Sequence, residues 1–134
     1  MVALDASALV KKYLDEEDSE WVENLMVEDP EWCGSMLLAC ETPIAVARDI
    51  ELASDLSAID RRLTSDLDRF SFVPVDADCL VNAVEIGRAF RLRTLDSIHL
   101  AAARRLPEGC RFVTFDQRQG EAALELGLNL LSPN

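Results

Sequence analysis

Short apolar runs, each only long enough for a strand, alternate with segments of helical spacing along the whole chain. Twice such a run stops on an aspartate that opens a helix. Val2-Ala3-Leu4 gives way to Asp5-Ala6-Ser7 and the apolar-patterned Ala8-Leu9-Val10-Lys11-Lys12; Arg111-Phe112-Val113-Thr114-Phe115 gives way to Asp116 and a helix over 117–126. Such alternation points to parallel strands, because a crossover helix must return the chain to the same edge of the sheet. In an open parallel sheet, functional groups gather beyond the carboxyl ends of the strands. Asp5 and Asp116 both fall there, although an Asp at a strand-to-helix turn also serves as an ordinary N-cap.

Between these two units the spacing predicts a helix over 20–28 stopped by Pro30, with Trp21, Leu25 and Met26 on one face. A short strand at 31–34 follows, then a helix capped by Ser35 and running from Met36 through Glu41. Pro43 lacks an amide donor and is expected to kink or restart that helix near Ala39–Glu41. A surface helix over 52–70 leads to a strand at 72–75, which Pro74 marks as an edge. Asp76 or Asp78 caps a helix over 79–90 whose expected buried face is Leu80, Val81, Val84 and Ile86 or Gly87. Thr94 is the expected N-cap of the next helix. Asp96 falls in its first turn, where the dipole favours the anion, and His99 shares its face. A strand at 128–131 closes the chain. With 134 residues the chain is read as one domain, 1–134, of α/β class, with a mostly parallel sheet of about five strands flanked by helices.

No apolar run reaches the roughly 18 residues of a membrane span. Neither a basic leader nor a cleavage site precedes the first strand, so a cytoplasmic protein is expected. Cys33, Cys40, Cys79 and Cys110 form no C-x-x-C pair and only one His is present. Zinc is therefore disfavoured, and the cysteines read as small buried apolar residues with reduced thiols. The net charge of −12 argues against a protein that coats nucleic acid by bulk attraction. Its distribution is uneven: residues 88–118 hold seven arginines against three acids. Arg88, Arg91, Arg93 and Arg118 in that stretch are the candidate contacts to an anionic partner.

Four carboxylates can converge if the first and fourth of the main strands are neighbours: Asp5, Glu41, Asp96 and Asp116. Glu41 interrupts an otherwise apolar helix, where a carboxylate is costly to bury unless a cation receives it. Each like-charged pair at ~4 Å would repel by ~4 kcal/mol at an effective dielectric near 20. Such a cluster needs protons or a metal ion. An oxygen-only ligand set suits Mg²⁺ or Mn²⁺ rather than zinc, and a hard cation so held serves phosphoryl chemistry.

Leu4-Asp5-Ala6-Ser7-Ala8-Leu9-Val10-Lys11, Glu41 in its apolar helix, Arg93-Thr94-Leu95-Asp96-Ser97-Ile98-His99-Leu100-Ala101 and Val113-Thr114-Phe115-Asp116 resemble, in order and spacing, the successive motifs of PIN-domain proteins, the VapC-type toxins of toxin–antitoxin pairs above all. The third motif is the most specific. The resemblance implies a PIN-like three-layer sandwich and a metal-dependent endoribonuclease using Mg²⁺ or Mn²⁺ and leaving a 5′-phosphate and a 3′-hydroxyl. It implies that Asp5, Glu41, Asp96 and Asp116 are the catalytic, metal-holding quartet, with Ser7, Thr114 and His99 supporting them. It further implies an RNA substrate, a homodimer, and inhibition by a VapB-like antitoxin whose tail crosses the active-site groove. The alternative is a non-catalytic PIN-like module that binds RNA or protein. A phospho-accepting receiver domain would need a lysine after its fifth strand, whereas the only lysines are Lys11 and Lys12. A phosphohydrolase of the D-x-D type fails at Ser7, and a flap nuclease would carry insertions and a basic face.

Overall fold

A computed structural model describes residues 1–133. Five strands, β1 (Val2–Leu4), β2 (Trp32–Ser35), β3 (Ser71–Val73), β4 (Arg111–Val113) and β5 (Asn129–Leu130), form one sheet. Its order is β3-β2-β1-β4-β5 and every pairing is parallel. The helices are α1 (Ala6–Leu9), extended by a 3-10 turn at Val10–Lys12, α2 (Ser19–Glu28), α3 (Leu38–Asp49), α4 (Ala53–Leu67), α5 (Ala77–Phe90), α6 (Thr94–Arg104) and α7 (Gln117–Glu125). No helix among the described residues is long and apolar enough to cross a membrane.

Side chains alternate faces along a strand, and the two cores follow that rule. Val2 and Leu4 point into a cluster with Leu9, Met26, Leu38 and Leu63, built by α1–α4. Ala3, Cys33 and Phe112 point the other way, onto Ile86, Ile98, Leu100 and Ala123 of α5–α7. The result is the three-layer sandwich. Small residues on α6 and α7, Ala101, Ala102, Ala122 and Ala123, are fully or almost fully buried and let those helices lie close to the sheet. At Gly34 the approach is tightest: a Cβ there would stand 2.8 Å from the Leu4 carbonyl oxygen and 2.7 Å from Leu38 Cδ1.

β3 is an edge strand, as expected, but it ends at Val73, so Pro74 lies just past it and not inside a strand at 72–75. Four further expectations need correction. First, α3 begins at Leu38 and runs unbroken through Pro43. The missing amide would have bonded to the Ala39 carbonyl in the opening turn, so the helix loses one bond there without restarting. Second, α6 has Arg93 at its N-cap with no side-chain cap bond, and Thr94 is already helical. Third, α5 buries Cys79, Ala83 and Ile86, while Leu80, Val81 and Val84 are 44%, 63% and 51% exposed. Ile86 and the small Cys79 and Ala83 face the core shared with α6, and Leu80, Val81 and Val84 face outward. Fourth, all four thiols are free as read, and Cys33 and Cys79 are buried, but Cys110 is half-buried and Cys40 is exposed on α3.

Candidate active site

The strand order reverses between β1 and β4, and the crevice beyond their carboxyl ends is where an open α/β sheet holds its ligands. Leu4 pairs with Val113 across that boundary, so Asp5 and Thr114 follow side by side. Asp5 is 3% exposed. Its Oδ1 accepts from the Ala8 amide at 3.0 Å, capping α1, and from the Ser7 hydroxyl at 2.7 Å. Its Oδ2 faces the Thr114 hydroxyl at 2.7 Å. The capping role and the cluster role therefore coincide in one side chain. Burial pushes the Asp5 carboxyl above the ordinary carboxylate range. Nearby His99 and the bonds from Thr114, Ser7 and the Ala8 amide pull against that rise without cancelling it.

Ser7 and Thr114 bind the two strand ends together. The Phe115 amide donates to Ser7 Oγ at 2.9 Å and the Asp116 amide to Thr114 Oγ1 at 3.1 Å. Thr114 also lies 2.7 Å from Gln119 Oε1, and the Gln119 amide nitrogen donates to the Asp96 carbonyl at 3.0 Å. Gln119 is fully buried and thus links the β4 end to the first turn of α6. It was not among the candidates read from sequence, yet a signal existed: Asp116-x-x-Gln119 has the spacing of a capping box. Asp116 does cap α7, accepting from the Gln119 backbone amide at 2.8 Å.

The remaining acids come from helices. Asp96, in the first turn of α6, accepts from Arg93 Nε at 3.0 Å, and a second guanidinium nitrogen stands 3.5 Å from Asp116. Glu41 projects from α3 and accepts from His99 Nε2 at 2.5 Å. His99 is 3% exposed, and its Nδ1 is buried without a partner. Glu41 and Asp96 line a cavity of about 520 Å³ with an apolar wall of Leu37, Ile44 and Leu95 and with Arg48 and Arg93 among its lining. A smaller cavity of about 260 Å³ shares Arg93 and Asp96 and adds Asp116, Arg91 and Arg118. Arg48 lies seven residues after Glu41 on the same helix face, a spacing legible in sequence but not singled out. Arg88 lies elsewhere, lining a groove between α5 and α6.

The structure thus gathers Asp5, Ser7, Thr114 and Asp116 at the β1–β4 boundary, bridges Asp116 to Asp96 through Arg93, and joins Glu41 to His99. Among the described residues no three Asp, Glu, His or Cys side chains stand together in ligating geometry, because each acid is engaged by its own donor. The set nevertheless fits a hard cation. Its donors are carboxylate oxygens, and the Arg93 guanidinium already sits as a positive charge between Asp96 and Asp116. The Arg93 side chain is 80% exposed, so it can swing away without unpacking anything.

The likeness to known proteins runs over nearly the whole chain. The sequence model of the PIN domain matches residues 2–125. Ribonuclease VapC46 of Mycobacterium tuberculosis (strain ATCC 25618 / H37Rv) is 31% identical over 134 residues, spanning 99% of this chain and 98% of the relative. Among solved structures, a toxin–antitoxin complex from Klebsiella pneumoniae superposes with a TM-score of 0.72 at 14% identity, covering 100% of this chain and 98% of that one. FitAcB from Neisseria gonorrhoeae superposes with a TM-score of 0.71 at 19% identity, covering 99% and 98%. At those identities the two structures speak to the fold.

Proposed function

Since this chain belongs to the PIN-domain family, we propose that it is an endoribonuclease toxin of the VapC type, hydrolysing RNA phosphodiester bonds and held in check by a cognate antitoxin. The single observation that carries the reading is the β1–β4 boundary, where Asp5 is locked by Ser7 and Thr114 beside Asp116. The whole-length likeness to a ribonuclease supports it.

In this reading Asp5, Glu41, Asp96 and Asp116 hold Mg²⁺ or Mn²⁺, which supplies an activated water and offsets the charge that develops on the phosphodiester in an in-line displacement. The chain's own part is placement. Ser7 and Thr114 fix the Asp5 carboxylate, leaving it no freedom to turn from the cleft. Gln119 holds the start of α6, and with it Asp96, at a set distance from β4. Arg93, paired with Asp96 and Asp116 and 80% exposed, would be free to turn to a substrate phosphate if a cation took its place between the acids, with Arg91 and Arg118 beside it. The products are a 5′-phosphate and a 3′-hydroxyl.

The acidic chain and its open cleft suit an antitoxin segment that brings a basic side chain to the carboxylates. A second copy of the chain is the proposed occupant of the outward face of α5. Leu80, Val81 and Val84 are exposed there beside a groove of about 430 Å³ lined by Ala83, Leu92 and Ile98, an apolar face of the kind that marks an interaction site.

The test is cleavage of total cellular RNA by the purified chain with Mg²⁺ or Mn²⁺, with EDTA, and with Asp96→Asn alongside. Discrete metal-dependent fragments, reduced at least 10²-fold in a variant that stays folded, are expected. Full activity in Asp96→Asn refutes the quartet. Absence of both cleavage and metal binding would shift the reading to a non-catalytic module that binds RNA or protein.

A further inference from the structure

We propose that His99 is a positioning residue that sets where the Glu41 carboxylate stops in the cleft between α3 and α6. The inference rests on Glu41 being one of the metal-holding acids.

The two helices that carry Glu41 and Asp96 have their main contacts with different elements: α3 with α1, the 3-10 turn and α4, and α6 with α5, β2 and α7. The backbone sets where each helix lies, and the Glu41 carboxylate at the end of its flexible side chain is placed by its side-chain partner. The side-chain link between the helices is His99 Nε2 donating to Glu41 Oε2. His99 is suited to act as a fixed post. Its side chain is on α6 and only 3% exposed, so the ring has little room to move. Its other nitrogen, Nδ1, has no partner among the described residues, so Glu41 is the only polar group that uses the ring.

Glu41 needs such a post. It has three side-chain torsions, it is 22% exposed, and among the described residues no other side chain is bonded to it. The other acids differ. Asp5 has three donors of its own and Asp116 caps α7, while Asp96 leans on Arg93, an exposed group free to leave. With Oε2 taken by a buried ring, Oε1 is left for the cleft. This is the geometry by which an outlying hydrogen bond orients a ligating carboxylate, and loss of such a partner typically weakens metal binding by about 10–100-fold.

The experiment measures Mn²⁺ binding to the purified full chain, without RNA, from the electron paramagnetic resonance signal of the free ion. The variants are Glu41→Gln, His99→Leu, His99→Gln and the double Glu41→Gln/His99→Leu, each checked for a cooperative thermal transition. Glu41→Gln and His99→Leu should each weaken binding about tenfold or more. The double variant should be no weaker than Glu41→Gln alone, because both changes remove one effect. His99→Gln, whose amide reaches nearly as far as Nε2, should bind within about threefold of the wild type and covers the case in which His99→Leu fails to fold. Wild-type affinity in His99→Leu, with Glu41→Gln weakened, overturns the proposal: the ring is then packing alone. Losses that multiply in the double variant overturn it too. Wild-type affinity in Glu41→Gln strikes instead at the Glu41 assignment on which it rests, and failure of the wild type to take up Mn²⁺ strikes at the metal reading as a whole.

Discussion

Thr114→Val is an isosteric change that removes one hydroxyl from the centre of the site, and its cost can be worked out from the contacts. The hydroxyl lies 2.7 Å from Asp5 Oδ2 and 2.7 Å from Gln119 Oε1. It has one proton, so only one donated bond is counted. A hydrogen bond to a charged group contributes about 1.5–3 kcal/mol, and the acceptor that does not receive the proton loses nothing more when the hydroxyl goes. The Asp116 amide also loses an acceptor, but its residue is half-exposed and water can replace it. No cavity is created. The total is about 1.5–3 kcal/mol, a substantial part of the roughly 5–15 kcal/mol that holds a domain folded, and it corresponds to a fall in Tm of about 5–10 °C at this size. Urea unfolding of Thr114→Val and Thr114→Ser measures it. The serine variant keeps the hydroxyl, loses one methyl and should cost only about 1 kcal/mol. Equal stabilities for the two variants would refute the view that the hydroxyl, and not the methyl, ties β1 to β4.

Asp29 offers a pH test at the opposite end of the sheet. Burial works against its ionisation, yet hydrogen bonds from the Met1 ammonium and Arg111 outweigh burial and hold its carboxyl below the ordinary range. Because its folded pKa is depressed, its contribution is present above the unfolded value near 3.9 and is lost as pH falls through the folded value. Wild type should exceed Asp29→Asn by about 2 kcal/mol at pH 6 and by much less at pH 2.5; a constant gap would contradict the assignment. In an Asp96→Asn background, Arg91→Glu with Arg118→Glu should weaken RNA binding about tenfold and lower its salt dependence by about 1.4 in log–log slope. Arg61→Glu with Arg62→Glu, on α4, should change little, and equal losses from both pairs would remove the arginines' role. Val84→Glu should convert a dimer into a monomer in analytical sedimentation with the Tm of the dilute protein nearly unchanged. A dimer that survives places the interface elsewhere.

The architecture was legible because the hydrophobic period changes at each element: short apolar runs at Val2–Leu4 and Arg111–Val113, and 3.6-residue spacing between them. Local pattern was a poorer guide where tertiary context decides. The Leu80, Val81 and Val84 stripe shows which side of α5 is apolar, not whether this chain covers it. Thr94 has the chemistry of a cap, but the backbone turns helical one residue before it could act as one. Pro43 breaks a helix in isolation, yet near the opening of α3 it costs one backbone bond, which the burial of Leu38 and Val46 offsets. In the site, the acids could be picked out as candidates from their places at strand ends and in helices, whereas Ser7 and Thr114 were named through the resemblance to the PIN-domain motifs. Gln119 and Arg48 were passed over because their importance lies in partners distant in sequence, the Asp96 carbonyl and the cleft wall.

The sheet order also sets a timetable. β1 is the first strand made, yet it sits at the centre and has its second neighbour, β4, only near the end of the chain. The Asp5 and Thr114 side chains that meet at the boundary are 109 residues apart. At about 5–20 residues per second of synthesis, roughly 5–20 s pass between the appearance of one and the other. A nascent chain therefore carries β1, β2 and β3 long before it has a complete cleft. An enzyme that attacks RNA would be inert throughout its own translation and would become competent only as its last helices arrive.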